Sequence, residues 1–124
     1  MNLEFENYWE LLALHKSMMA VKFDPNSCLP EAQGSPFTGS LAFKVFDLLV
    51  SFSNSEGKVK QANDWLLWQV ADDSRIETAL LKKRILESTW WQEAEEEQRL
   101  QYVVDFMAPL KLQPEIQKEI LKYS

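Results

Sequence analysis

Glu93, Glu96 and Glu97 are spaced to share one face of a helix, and Glu95 brings the run to four carboxylates in five residues. Such a face has two possible chemistries: ligation of a hard cation, or attraction of a basic partner. The cation reading lacks its usual companions. Helical di-iron sites combine glutamates with Glu-x-x-His pairs on facing helices. Here His15 is the only histidine, no Glu-x-x-His pair occurs, and no calcium-loop pattern is present. The expectation is no metal and no cofactor.

His15 falls between Leu11 or Leu12 and Met18 or Met19 at helical spacing. It reads as a partly buried, hydrogen-bonded helix residue. A general base would need an oriented nucleophile or acid, and no local signature supplies one. Cys28 is the only cysteine, so an intramolecular disulfide and a thiolate metal cluster are both excluded. Its one conceivable histidine partner is His15, and a small buried hydrophobe is an equally good reading. There is no Gly-rich phosphate loop, zinc spacing or nucleophile elbow. The chain reads as a binding protein and not as an enzyme.

The tryptophans are the second anomaly, at 5 in 124 residues. Most should pack between helices. Trp90 and Trp91, however, are adjacent and differ by about 100° on a helix, so both cannot face one core. One of them is expected to be an exposed anchor. Beside Glu93, Glu96 and Glu97 it would make an apolar anchor with an acidic rim.

A helical wheel refines that picture. With Leu100 at its centre, Val103, Val104 and Met107 fall within about 60°. Extended backwards through a continuous helix, the stripe meets Glu93, Glu96 and Glu97. Buried, unpaired carboxylates would be prohibitively costly, so the helix start must project beyond the core or face basic groups. A simpler explanation competes with a site. Negative charge in a first turn is stabilised by the helix dipole by roughly 0.3–1 kcal/mol per group. Lys82, Lys83 and Arg84 would satisfy the same rule at the end of the preceding helix.

The elements that must position these residues are mostly helical. Residues 3–22 form a broad apolar helix through Phe5, Trp9, Leu12 and Met19. Phe23–Gly39 holds three of the five prolines and two of the three glycines, and reads as a long loop. Residues 40–53 are read as a helix opened by Ser35–Pro36 or Thr38, although Leu41, Phe43 and Val45 also alternate like a strand. Val59, Ala62, Leu66 and Val70 keep helical spacing. Ser74 with Glu77, and Thr89 with Gln92, match capping boxes. Pro109 should end the helix after Thr89, and Pro114 should open a short last one. The fold class is mainly α, a single-domain bundle of five or six helices over residues 1–124. The alternative is α+β, with a hairpin around residues 41–62.

Charge narrows the partners. The net charge is −6 at pH 7, with 3 bases against 7 acids in residues 1–57 and 10 against 12 in residues 58–124. Neither half is basic, which disfavours nucleic acid. The acidic N-terminus does not match a signal peptide, and no apolar run approaches the roughly 18 residues of a transmembrane helix. A cytoplasmic protein without membrane contact is expected. Short, acidic, aromatic-rich and without catalytic motifs, the chain resembles in general profile the bacterial immunity proteins and nuclease inhibitors. That resemblance is one of class, carried by no family motif. It implies a protein that neutralises a basic partner such as a toxin nuclease. The alternative is a structural or regulatory helical module, a homo-oligomer or assembly subunit, using the broad apolar faces of residues 3–22 and 59–70. A third reading, a ligand-binding or enzymatic bundle, would need a pocket lined by His15, Cys28 and aromatics.

Overall fold

The structure is a computed structural model that describes residues 1–123. Among these, seven α-helices supply nearly all the regular structure, one or two more than the apolar periodicity predicts. Helix α1 spans Tyr8–Lys22 and starts later than its apolar pattern. The Asn7 side chain accepts from the Glu10 N–H at 3.0 Å, which fixes the first turn. Residues 3–7 therefore precede the helix, with Phe5 half-buried against α1 and its neighbours.

The Pro- and Gly-containing stretch 23–39 is not one loop. A single-turn helix α2 occupies Pro30–Gln33, and α3 begins at Pro36 and runs to Ser55. Ser35 Oγ accepts from the N–H groups of Phe37 (3.2 Å) and Thr38 (3.4 Å), while Pro36 sits where its missing N–H costs nothing. Helix α3 settles residues 41–53 as helical, and the hairpin alternative falls. The buried residues Gly39, Ala42, Val45, Phe46, Leu49 and Ser53 follow the helical period. Leu41, which a strand would have buried with Val45, is 48% exposed.

Gly57, at φ +73°, turns the chain into α4 (Val59–Gln69). The two-residue strand β1 (Val70–Ala71) follows and pairs in parallel with β2 (Lys111–Leu112), Val70 opposite Lys111. The Gln69 amide reinforces the junction by donating to the Pro109 carbonyl at 2.9 Å. Helix α5 spans Ile76–Glu87, but the Ser74–Glu77 capping box does not form. Ser74 turns its hydroxyl to Asp72 (2.6 Å), a charged acceptor within reach. Glu77 is drawn to the Arg75 guanidinium, with both contacts at 3.2 Å. Helix α6 (Glu96–Met107) ends just before Pro109, and α7 (Pro114–Leu121) opens on Pro114, both as the prolines predict.

Helix α3 packs against α1, α4 and α6, and α5 and α7 pack on α6. Two apolar clusters result. One joins Leu11, Met18, Ala42, Val45, Leu49 and Ala108 across α1, α3 and the end of α6. The other gathers Leu81, Ile85, Trp91, Val103, Phe106 and Ile120 across α5, α6 and α7. A Cβ on Gly39 would sit 3.0 Å from the Asp105 carbonyl oxygen, so α3 and α6 approach closely there.

A polar knot fastens the ends of these helices. Lys22 is fully buried, and its Nζ donates to the carbonyls of Asp105 (2.8 Å) and Gln33 (3.2 Å). The Gln33 side chain donates to Asp24 O at 2.8 Å and accepts from Arg84 Nε at 3.1 Å. Burial pulls the Lys22 pKa down to about 8, against the opposing influence of Asp105. Among the described residues no helix is long and apolar enough to cross a membrane.

Candidate functional site

The segment between α5 and α6 is built from the inside outward. Helix α5 stops at Ser88, whose hydroxyl donates to Ile85 O at 2.7 Å. No helix starts at Thr89. Instead Trp91–Glu93 form a single 3-10 turn, and α6 begins only at Glu96. The cap is Glu95, which accepts from the Gln98 backbone while Gln98 Oε1 accepts from the Glu95 N–H at 3.0 Å. The Thr89–Gln92 box and the continuous helix through residue 93 are thus replaced by a capping box that starts at Glu95, nearly two turns later.

The reason lies with Trp91 and Arg99. Trp91 is 2% exposed, wedged into the α5–α7 cluster, with its Nε1–H donating to Tyr123 O at 2.9 Å. Arg99 lies over the indole, 4.9 Å from the ring centroid. Its Nε donates to Trp91 O (2.9 Å), Nη1 to Leu121 O and Tyr123 O (both 3.1 Å), and Nη2 to Gln92 O (3.3 Å). One guanidinium therefore ties the turn to the end of α7.

Trp90 is left at the surface, 41% exposed. Its ring packs edge-on against Tyr102 (4.9 Å between centroids) and Trp91 (5.7 Å), which hold it in place. Gly34 supports Tyr102 from behind, since a Cβ there would approach the ring to 2.6 Å. Burial pushes the Tyr102 hydroxyl pKa up, with Arg84 partly opposing.

Glu93, Glu95, Glu96 and Glu97 are all exposed, and none forms an ion pair among the described residues. They do not form one face. Trp90 and Glu93 line a cleft of about 420 Å³ with Ala94 and Gln98. Glu96 lines a second cleft of about 420 Å³, with Arg99, Lys118 and Lys122. Glu97 lines neither cleft. The wheel centred on Leu100 also needs correction. Val103 and Met107 are buried as expected, but Leu100 and Val104 are each 37% exposed and Phe106 takes their place in the core. Arg99 and Tyr102 are half-buried on the same side as Val103 and Phe106, which turns the core line away from Glu97. Glu96 stays near that line, about two turns before Val103, and is exposed because it stands beyond the core.

Dipole matching accounts for part of the charge. Glu96 and Glu97 stand in the first turn of α6, but Glu93 precedes the helix. In the base run, Lys82 pairs with Asp73, Lys83 reaches Glu87 at 4.0 Å, and Arg84 is used in the polar knot.

His15 corrects another expectation. It is buried rather than partly buried, and its Nδ1 has no hydrogen-bond partner. Trp65 and Trp68 stand edge-on to it at 5.1 and 5.2 Å, with Phe46 at 6.4 Å. Burial first, and Lys16 second, lower its pKa to about 4. Cys28 lies exposed in the loop before α2 and not buried. The aromatic surface over His15 is already engaged. Trp68 stacks on Phe46 and carries the Arg75 guanidinium 5.5 Å from its centroid, while the Trp65 N–H donates to Tyr8 OH at 3.1 Å. No motif or periodicity in the sequence singles out Arg99. Its only signal is a lone arginine two positions after the acidic run.

No family model, curated protein or solved structure matches this chain.

Proposed function

We propose that this chain is a protein-binding module that docks a basic protein through the surface beginning at Trp90, without catalysing a reaction. One observation carries the reading. Trp90 is partly exposed yet held on two sides by aromatic rings, beside four exposed carboxylates without ion pairs. A rigid aromatic anchor loses little entropy on binding, and unpaired carboxylates supply long-range attraction. In this reading Trp90 fills an apolar recess of the partner, and Trp91 supports it from the core. Glu93 meets partner lysines or arginines directly, while Glu96 and Glu97 contribute mainly to the field. The net charge of −6 acts in the same direction. Inhibition of a basic toxin nuclease in the cytoplasm, as an immunity protein performs it, is the specific form this reading takes.

Capture of partners from the native cell lysate, followed by salt elution, tests it. The expected result is a basic protein whose association weakens as salt rises and is lost with Glu93, Glu96 and Glu97 all changed to Lys. Binding that ignores salt, or that survives the triple substitution, removes this surface from consideration. A second reading, self-association, draws on other residues. Phe37, Leu67, Ile76 and Leu86 are each more than 70% exposed. Sedimentation at several concentrations separates the two, because a strict monomer disfavours self-association.

A further inference from the structure

A different cleft has the form of a small-molecule site. Between α3, α6, β2 and α7 lies a cavity of about 300 Å³, at the lower end of the range of about 300–1,000 Å³ typical of such sites. Val103, Met107 and Leu110, each 1% exposed, form its inner side. Phe43, Val104 and Leu112 add further apolar wall. The lining has only two polar members, Lys111 and Gln117. Lys111 forms no ion pair among the described residues, and no carboxylate lines the cavity.

We propose that this cleft binds a small amphiphilic carboxylate, its apolar body against Val103, Met107 and Leu110 and its carboxylate held by Lys111 and Gln117. The polarity of the lining selects the class. An apolar body gains by burial against the aliphatic wall. An ammonium and an amide can both donate to a carboxylate, and the charge-assisted bond is the stronger of the two. A cationic amphiphile would set its charge against Lys111 with no acid in the lining to receive it. The overall negative charge does not decide the matter, because exposed charges more than about 8 Å away are screened at physiological salt. The backbone of Lys111 is held by the parallel pairing of β2 with β1, which gives the ammonium a fixed root.

This site is independent of the Trp90 surface, and its test leaves that reading untouched. Amide chemical shifts of the isotope-labelled full chain are followed during titration with hexanoate, hexanol and hexylamine, which share an apolar body and differ in charge. Hexanoate is expected to move the amides of Val103, Met107 and Leu112, and to bind about tenfold tighter than hexanol, the scale of one charge-assisted hydrogen bond. Hexylamine is expected to bind weakest. Lys111→Gln, at an exposed position, is expected to bring hexanoate down to the level of hexanol. Val104→Trp, which fills the cleft, should abolish both. If Val104→Trp fails to fold, Lys111→Gln alone carries the test. Equal affinity of the native chain for hexanoate and hexanol overturns the proposal. So do shifts confined to other residues, or no shift up to the solubility limit of the probes.

Discussion

Two buried clusters treat polar atoms differently: the α5–α7 cluster, and the ring cluster around His15 between α1, α3 and α4. In the α5–α7 cluster each such atom discussed above has a protein partner. The Trp91 indole N–H reaches Tyr123 O, and Arg99 meets four carbonyls. Around α1, α3 and α4 the His15 imidazole is surrounded by rings, and its Nδ1 is left without a partner. Unpaired buried groups cost stability, whereas paired ones fix geometry. The first cluster is therefore suited to serve as a rigid platform, and the candidate surface at Trp90 stands on it. The second holds a latent sensitivity to acid.

Removing the platform's central side chain should have the largest effect. Trp91→Ala is expected to destabilise the fold by about 3–5 kcal/mol, through the cavity it leaves and the loss of the surface that Arg99 covers. Denaturant unfolding measures this directly. A loss below about 1 kcal/mol would show that Trp91 does not organise the cluster.

Acid probes the other cluster. The His15 pKa falls from 6.5 to about 4 in the folded chain, so the unfolded chain takes up the proton first as pH drops. Stability is retained above pH 6.5 and decreases as pH falls from 6.5 towards 4. The imidazole's share of that loss is on the order of 3 kcal/mol. Carboxylates titrate in the lower part of the same window, so the informative quantity is a difference. His15→Phe should flatten the stability profile between these pH values relative to the native chain. Parallel profiles for the two proteins would mean that the imidazole is not held neutral by burial.

The contrast between the clusters also explains what was legible in the sequence. Ser35–Pro36 and Pro114 announced helix starts correctly, because each acts through bonds or sterics within a few residues. Ser74 and Thr89 carried the same kind of signal and failed. At Ser74 a nearby carboxylate, Asp72, outcompeted the helix N–H groups. At Thr89 the distant end of α7 decided the outcome, because Trp91 and Arg99 bond to carbonyls of residues 121 and 123. Contacts over such separations leave no periodic trace. The same applies to the cleft at Lys111, which combines residues from α3, α6, β2 and α7. That Trp90 and Trp91 must diverge was readable from local geometry. Which of them would be buried was not.

Arg99→Lys tests how much of the platform's stiffness comes from one guanidinium. A lysine keeps the charge but cannot span four carbonyls or cover the indole in the same way. A loss of about 2 kcal/mol is expected, because the Gln92 and Leu121 carbonyls lose the Arg99 donor, while those of Trp91 and Tyr123 keep the Ala94 N–H and the Trp91 indole N–H. Hydrogen exchange should show the effect concentrated in residues 91–95 and the end of α7, with α1 unchanged. Uniform loosening would place Arg99 outside any local role.

The smallest expected stability effect is the most informative about function. Trp90→Ala removes a side chain that is 41% exposed and packs edge-on against Trp91 and Tyr102. Each of the two aromatic pairs contributes about 0.5–1.5 kcal/mol, and solvent at the exposed ring keeps both pairs and the apolar gain at the low end, so the net loss should be about 1 kcal/mol. That is a fraction of the loss expected for its neighbour, although the two differ by one position and share a residue type. If Trp90 is an anchor, the same substitution should weaken capture of the basic partner by about thirtyfold or more, since buried tryptophans at interfaces contribute about 2 kcal/mol or more. Weak effects on both stability and capture would reduce Trp90 to a solvent-facing cover for Tyr102. A large loss of stability would make it part of the platform, and the division between platform and surface would then lie outside residue 90.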